Sequence, residues 1–241
     1  MTAWEGFDYD EFCVGGRACR IVRPFKMRDP RPWIWRTEFF GVFAWVDIAL
    51  LELGYHVAYI DVQNMYGAPK AMRYMDAFHA EATAKYGLTS KATLEGFSRG
   101  GLFALNWAAR RPRDIQCLYL DAPVCDFKSW PGGKGRAPGS PEDWQRLLEA
   151  YELSESQALA YPFNPVDQMT ALARERVPII AVYGDADEAL PPEENILLLQ
   201  ARYEALGGPI NVIRKPGVGH HPHSLEDPSP IVEFVTRQKL S

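Results

Sequence analysis

The sequence predicts a three-layer α/β/α sandwich with about eight mostly parallel strands. Three observations carry that expectation. The 241 residues are 47% hydrophobic and 24% charged, a soluble globular balance on a chain long enough for a large core. After an initial hairpin pattern, strand-like runs alternate with helix-like runs, which implies parallel strands joined by right-handed crossovers. Many of the 19 glycines and 19 prolines cluster in loops that follow strand-like runs, where open α/β sheets build their sites.

Residues 7–14 and 18–23 read as a hairpin around Gly15-Gly16. Trp33-Ile34-Trp35 is a short strand, and residues 40–53 read as a helix stopped by Gly54. Residues 56–61 are rich in strand formers. Residues 69–86 place Ala71, Met75, Phe78 and Ala82 on one helical face before Gly87. Strand 92–97 runs without a spacer into a helix from 99 to about 110, halted by Pro112. Residues 117–122 and 178–184 are further buried strands. A helix over 192–206 ends at Gly207-Gly208, followed by strand 210–215 and helix 231–238. The rhythm breaks at 123–176, a Pro- and Gly-rich opening with helical stretches near 141–151 and 154–160. That insertion is expected to cap one end of the sheet within a single domain spanning 1–241, since long insertions in compact domains are mostly functional.

Lys and Arg number 26 against 31 Asp and Glu, a net charge of −5, so no basic footprint points to nucleic acid or an anionic membrane. The acidic start lacks the apolar run of a signal peptide, and no stretch approaches a spanning helix. The expected location is the cytoplasm. Cys13, Cys19, Cys117 and Cys125 form no CxxC pair and no zinc spacing, and read as reduced structural thiols.

The sharpest signal is Gly96-Phe97-Ser98-Arg99-Gly100-Gly101. It fits G-x-S-x-G between a strand and a helix, the context the motif requires. Such a turn holds the serine in a constrained backbone conformation, where side chains at 96 and 100 would collide with neighbouring backbone. Gly101 and Ala104 let the helix approach the sheet. The hydroxyl then stands at a helix N-terminus, where the Arg99 N–H can stabilise an oxyanion. A serine nucleophile needs a base, and the base an orienting acid, in the order Ser, acid, His. Two downstream loops supply them, one with Asp185, Asp187 and Glu188 and one with His220, His221 and His223. Asp121, at a strand end, is a fallback acid. His-His-x-His could hold zinc, but no Cys or acidic cluster stands at ligand spacing beside it, so no metal is expected.

With these motifs the chain resembles α/β-hydrolase fold proteins over nearly its whole length. The likeness is strongest to bacterial serine esterases and prolyl-oligopeptidase-like catalytic domains. That family's acid loop commonly reads G-x-x-D-x-x-V-P. Gly184, Asp187 and Pro191 fit it with Leu190 in place of Val, so the resemblance selects Asp187, leaving Asp185 to brace the turn. The G-x-G-H histidine loop selects His220 over His221. The second oxyanion donor of the fold follows the third strand, where relatives carry His-Gly and this chain has Arg36-Thr37. The donor is therefore expected at Arg36 or Thr37. Arg36 and Glu38 either brace each other or bind a polar substrate such as a sugar or an acid. Trp35 and Trp130 belong to an aromatic rim that could stack on a ring. Arg99 either faces the pocket or bridges to Asp121 or Asp126.

The implied chemistry is acyl transfer to water through an acyl-serine, with no metal or organic cofactor. The expected substrate is a small carboxylic ester, with an acylated carbohydrate as one candidate. A peptide is less favoured because such peptidases usually add a large N-terminal domain. The alternatives are a peptidase or amidase using the same residues, or a non-catalytic binder on the same fold. A homodimer is common among such enzymes, though no interface is legible.

Overall fold

The segment Trp33-Ile34-Trp35-Arg36 forms a strand buried on both faces, and it shows how the layers assemble. Trp33 and Trp35 point to one side, into a core shared with Phe78, Phe103, Trp107 and Leu199. Ile34 points to the other, among Val46, Leu50, Val57, Ile231 and Val235. The period-two alternation of a strand thus serves two apolar layers.

The computed structural model describes residues 3–239. Its elements in order are β1 (Ala3–Trp4), β2 (Phe7–Val14), β3 (Arg17–Val22), β4 (Trp33–Arg36), α1 (Trp45–Glu52), β5 (His56–Ile60), α2 (Pro69–Tyr86), β6 (Ala92–Phe97), α3 (Gly100–Arg110) and β7 (Ile115–Asp121). Then follow α4 (Pro141–Tyr151), α5 (Glu155–Leu159), α6 (Thr170–Arg174), β8 (Ile179–Gly184), α7 (Ile196–Ala205), β9 (Ile210–Lys215) and α8 (Ser229–Thr236). The sheet has nine strands in the order β1-β2-β3-β5-β4-β6-β7-β8-β9. From β5 to β9 every neighbouring pair is parallel, while β3 joins β5 antiparallel. One apolar layer takes side chains from α2, α3 and α7, the other from α1 and α8. The result is the three-layer α/β/α sandwich, one two-residue strand richer than expected.

Several boundaries differ from the sequence reading. The helix expected over 40–53 begins only at Trp45, because Phe39, Gly41 and Phe43 all take positive φ and coil the chain into a loop. The helix expected from 192 begins at Ile196, after a short 3₁₀ turn over Pro192–Glu194. Helix α6 was not legible. Between β7 and β8, α4 buries Trp144, Leu147 and Tyr151 against Tyr66, Leu102, Val124 and Phe127, a third apolar cluster over the C-terminal end of the strands. All four cysteines are free. Among the described residues no helix is long and apolar enough to cross a membrane.

Candidate active site

Strand β6 ends at Phe97 and α3 begins at Gly100, so Ser98 and Arg99 make the whole turn. Ser98 takes a left-handed conformation with φ 48°. A non-glycine residue is rarely held there, and such outliers cluster at functional sites. The turn is pinned from both sides. The Ser98 N–H donates to the Asp121 carbonyl (2.9 Å), and the Ser98 carbonyl accepts from Gly101 (3.0 Å) and Val124 (2.8 Å). A Cβ on Gly101 would stand 2.6 Å from Pro123 Cβ and 2.9 Å from the Val124 carbonyl, so only glycine lets α3 start this close. At Gly100 the obstruction is looser and comes from side chains, Thr37 Oγ1 at 3.3 Å and Glu38 Cβ at 3.5 Å, not from backbone as the motif suggested.

The loops after β8 and β9 complete a chain of hydrogen bonds. Ser98 Oγ lies 3.0 Å from His220 Nε2, and His220 Nδ1 lies 2.7 Å from Asp187 Oδ2. Asp187 is buried, and its other oxygen accepts the Leu190 N–H at 2.8 Å. An ionised carboxylate only accepts, so Nδ1 carries the proton and Nε2 presents a lone pair to the serine. Gly184 lets the two loops touch, since a Cβ there would run into the carbonyls of Val218 and Gly219.

The other candidates separate cleanly. Asp185 is half-buried and braces the turn, accepting from Gly217 N (2.6 Å) and Arg214 Nε (2.7 Å). Asp121 holds a different histidine: Oδ1 lies 2.7 Å from His223 Nδ1, and Oδ2 accepts the Ser224 N–H at 2.7 Å. His221 is exposed, packs on Phe43, and has its pKa lowered by desolvation and by its two neighbouring imidazoles.

The loop after β4 departs from the sequence reading. The Thr37 N–H donates to the Glu95 carbonyl (3.0 Å), and its hydroxyl bridges the Glu95 and Gly100 carbonyls at 2.9 Å each. Arg36 is still within β4, in register with Tyr59 and Glu95. Neither offers a free N–H. The next residue does: Glu38 N donates no hydrogen bond among the described residues, and it lies 3.8 Å from where a Gly100 Cβ would stand. The Arg99 N–H is likewise unengaged among the described residues. The side chains are tied up inside the protein. Arg36 and Glu38 do not brace each other. Arg36, 1% exposed, reaches Asp47 (3.0 Å), Glu95 (3.3 Å) and the Val42 carbonyl, over the ring of Phe97. Glu38 grips Arg99 with both oxygens (2.7 and 3.0 Å). Burial would lower the Arg99 pKa, but the Glu38 carboxylate outweighs it and raises it.

Arg99 bridges to neither Asp121 nor Asp126. Its guanidinium lies over the rings of Phe39 and Tyr66 and reaches Asn64 (3.2 Å) and Asp143 (3.5 Å). Asp143 also accepts the Tyr66 hydroxyl at 2.5 Å. Asp143 and Asn64 escaped the sequence reading, since nothing local in α4 or the β5–α2 loop marks them. Trp35 is fully buried among Trp33, Phe78 and Trp107, inside the core and not on a rim. Trp130 is half-buried and packs on the cluster under α4. A cleft of about 630 Å³ opens between the insertion and the acid loop, lined by Arg136, Pro138, Asp187, Glu188 and Pro191.

The sequence matches the model of the prolyl oligopeptidase family over residues 54–238, about three quarters of the chain. The chain belongs to the prolyl oligopeptidase family. Solved structures agree on the fold. Porphyromonas gingivalis dipeptidyl peptidase 4 superposes with a TM-score of 0.72 at 14% identity, over 97% of this chain and 35% of its own. Pyrococcus horikoshii acylaminoacyl peptidase gives 0.73 at 12% identity, over 97% and 42%. A candidate lipase, lip1, from Acinetobacter baumannii AYE gives 0.62 at 16% identity, over 96% and 90%. The chain thus spans well under half the length of the two peptidases. Comparison with curated proteins gives no match. This prolyl oligopeptidase family member has the α/β-hydrolase fold.

Proposed function

We propose that the chain hydrolyses carboxylic esters through an acyl-Ser98 intermediate. The observation that carries the reading is the continuous path from Ser98 Oγ through His220 to Asp187, with the serine on a left-handed turn at a helix N-terminus. His220 Nε2 takes the serine proton as Oγ attacks the carbonyl carbon, then returns it to the leaving oxygen. Asp187 holds the tautomer and stabilises the imidazolium. The free N–H groups of Arg99 and Glu38 flank the serine as oxyanion donors. Water repeats the sequence to release the acid.

An ester asks least of this arrangement, because an alkoxide or phenoxide departs with less help from the general acid than an amine does. Amide or peptide cleavage is the second reading, favoured by the family's peptidase members. Nothing in the disposition of Arg36, Trp35 or Glu38 favours a sugar, since all three are engaged inside the protein. The test is a matched pair with one acyl group, p-nitrophenyl acetate and acetyl p-nitroanilide, on the wild type and Ser98→Ala. Turnover of the ester that vanishes in folded Ser98→Ala supports the reading. Turnover retained in that variant overturns it, and a higher kcat/KM on the anilide selects the amide.

A further inference from the structure

His220 is one of three imidazoles crowded into a single loop. One ring nitrogen of each of His220, His221 and His223 lies within 4.8 Å of the other two. Their ring centroids are 4.8 to 5.0 Å apart, and the planes cross at 69°, 82° and 86°. Two of the rings are oriented in the same way, by a carboxylate on Nδ1: Asp187 on His220 and Asp121 on His223, both at 2.7 Å. Metal-ligating histidines carry this feature, because a second-shell carboxylate fixes the tautomer and raises the basicity of the other nitrogen. The spacing of acids along the sequence could not reveal it, since these carboxylates come from strand ends far from the loop. The third ring, His221, makes no hydrogen bond among the described residues and faces solvent, which gives an ion a way in.

We propose that His220, His221 and His223 bind one Zn²⁺ ion, and that the bound ion switches off hydrolysis by occupying the His220 lone pair that Ser98 needs. Neutral imidazoles suit zinc, whereas Mg²⁺ and Ca²⁺ prefer oxygen. Three nitrogens at a Zn–N distance of about 2.0–2.1 Å stand roughly 3.4 Å apart in tetrahedral geometry. Closing from 4.8 Å therefore asks each ring to move inward by less than about 1 Å, within reach of side-chain rotation in a loop. Binding exchanges water on the ion for three imidazole nitrogens. No proton need leave, and the hydrogen bond from the Ser98 hydroxyl to Nε2 is the one lost.

Only the inhibition rests on the ester-hydrolase reading, and the experiment keeps the two apart. Chelator-stripped protein is titrated with Zn²⁺ against a chromophoric competing chelator, for the wild type, Ser98→Ala, Cys13→Ser and His221→Ala. The expected result is one Zn²⁺ per chain in the first three and at least tenfold weaker binding in His221→Ala, with Mg²⁺ not competing. In parallel, Zn²⁺ lowers p-nitrophenyl acetate turnover over the same concentration range, EDTA restores it, and His221→Ala needs at least tenfold more Zn²⁺ relative to its own zinc-free rate. Binding that is absent, or unchanged in His221→Ala, overturns the site. Binding that leaves turnover intact overturns the switch. A wild type that binds zinc but cleaves neither ester nor anilide refutes the hydrolase reading and leaves the metal site standing.

Discussion

Replacing Asp187 by Asn changes one atom, and the structure dictates which way the amide turns. The Leu190 N–H, 2.8 Å from Oδ1, requires an oxygen at that position. The amide nitrogen then takes the place of Oδ2, 2.7 Å from His220 Nδ1. Two donors cannot face each other, so Nδ1 loses its proton and Nε2 gains one. A protonated Nε2 cannot accept from Ser98. The expected loss in kcat is about 10³–10⁴-fold, or roughly 4–5.5 kcal/mol of barrier at 1.36 kcal/mol per decade. Asp121→Asn is the paired control. Its Oδ2 accepts the Ser224 N–H at 2.7 Å, so the amide nitrogen turns to His223 instead. That variant loses about 1.5–3 kcal/mol of stability with one charge-assisted bond, while kcat falls less than about tenfold, because Asp187 still orients His220. Steady-state p-nitrophenyl acetate hydrolysis and urea unfolding measure both. If folded Asp187→Asn keeps kcat within tenfold, or Asp121→Asn falls as far, the assignment of the orienting acid is wrong.

Other substitutions read separate parts of the molecule. Arg36→Met strands Asp47 and Glu95 in the core, and urea titration is expected to show a loss of about 3–5 kcal/mol. Glu95→Gln is expected to cost less than Arg36→Met in the same titration, because burial raises the Glu95 pKa and so works against its charged form. Burial lowers the His56 pKa from 6.5 to about 4, so the unfolded chain takes up the proton first as pH falls. The stability that neutral His56 contributes is whole above pH 6.5 and is lost towards pH 4. Between pH 7 and pH 5 this is about 2 kcal/mol, which urea titrations of wild type and His56→Phe would show as a flatter acid limb in the variant. Glu38→Gln is expected to lower kcat about tenfold with KM within twofold, since one oxyanion donor loosens without being removed. An unchanged kcat would show that the Arg99–Glu38 clamp is not what positions the donor.

What the sequence disclosed was whatever short-range context encodes. The turn at Ser98, the Gly184–Pro191 acid loop and the Gly219-His220 step each lie within a few residues that follow a recognisable strand, so their positions at one edge of the sheet could be read directly. Arg36 and Trp35 were misplaced for the opposite reason. The run WIWR belongs to a central parallel strand, where every side chain is buried, but the partners that make a buried arginine tolerable, Asp47 and Glu95, arrive from α1 and β6. The same holds for Asp121 and His223, which lie 102 residues apart. The sequence points to Thr37 as a donor because it does not mark the end of β4. Its N–H extends the ladder by one more bond, and that single step moves the free amide to Glu38.

That shift gives the Arg99–Glu38 pair its meaning. The two residues proposed as oxyanion donors are also the two whose side chains grip each other at 2.7 and 3.0 Å. One sits on the β6–α3 turn and the other on the loop after β4, and no peptide chain near the site joins them. A surface ion pair would hold them weakly. This pair is bidentate, Glu38 is 2% exposed, and the guanidinium lies against Phe39 and Tyr66, so the geometry is fixed by packing as well as charge. An oxyanion site works only if its donors are in place before charge develops. If the N–H groups of Arg99 and Glu38 are those donors, their separation is set by a side-chain clamp that also pairs the arginine's charge. On the proposed reading Arg99 serves the reaction through its backbone N–H, while its guanidinium is paired with Glu38 and approached by Asp143 at 3.5 Å.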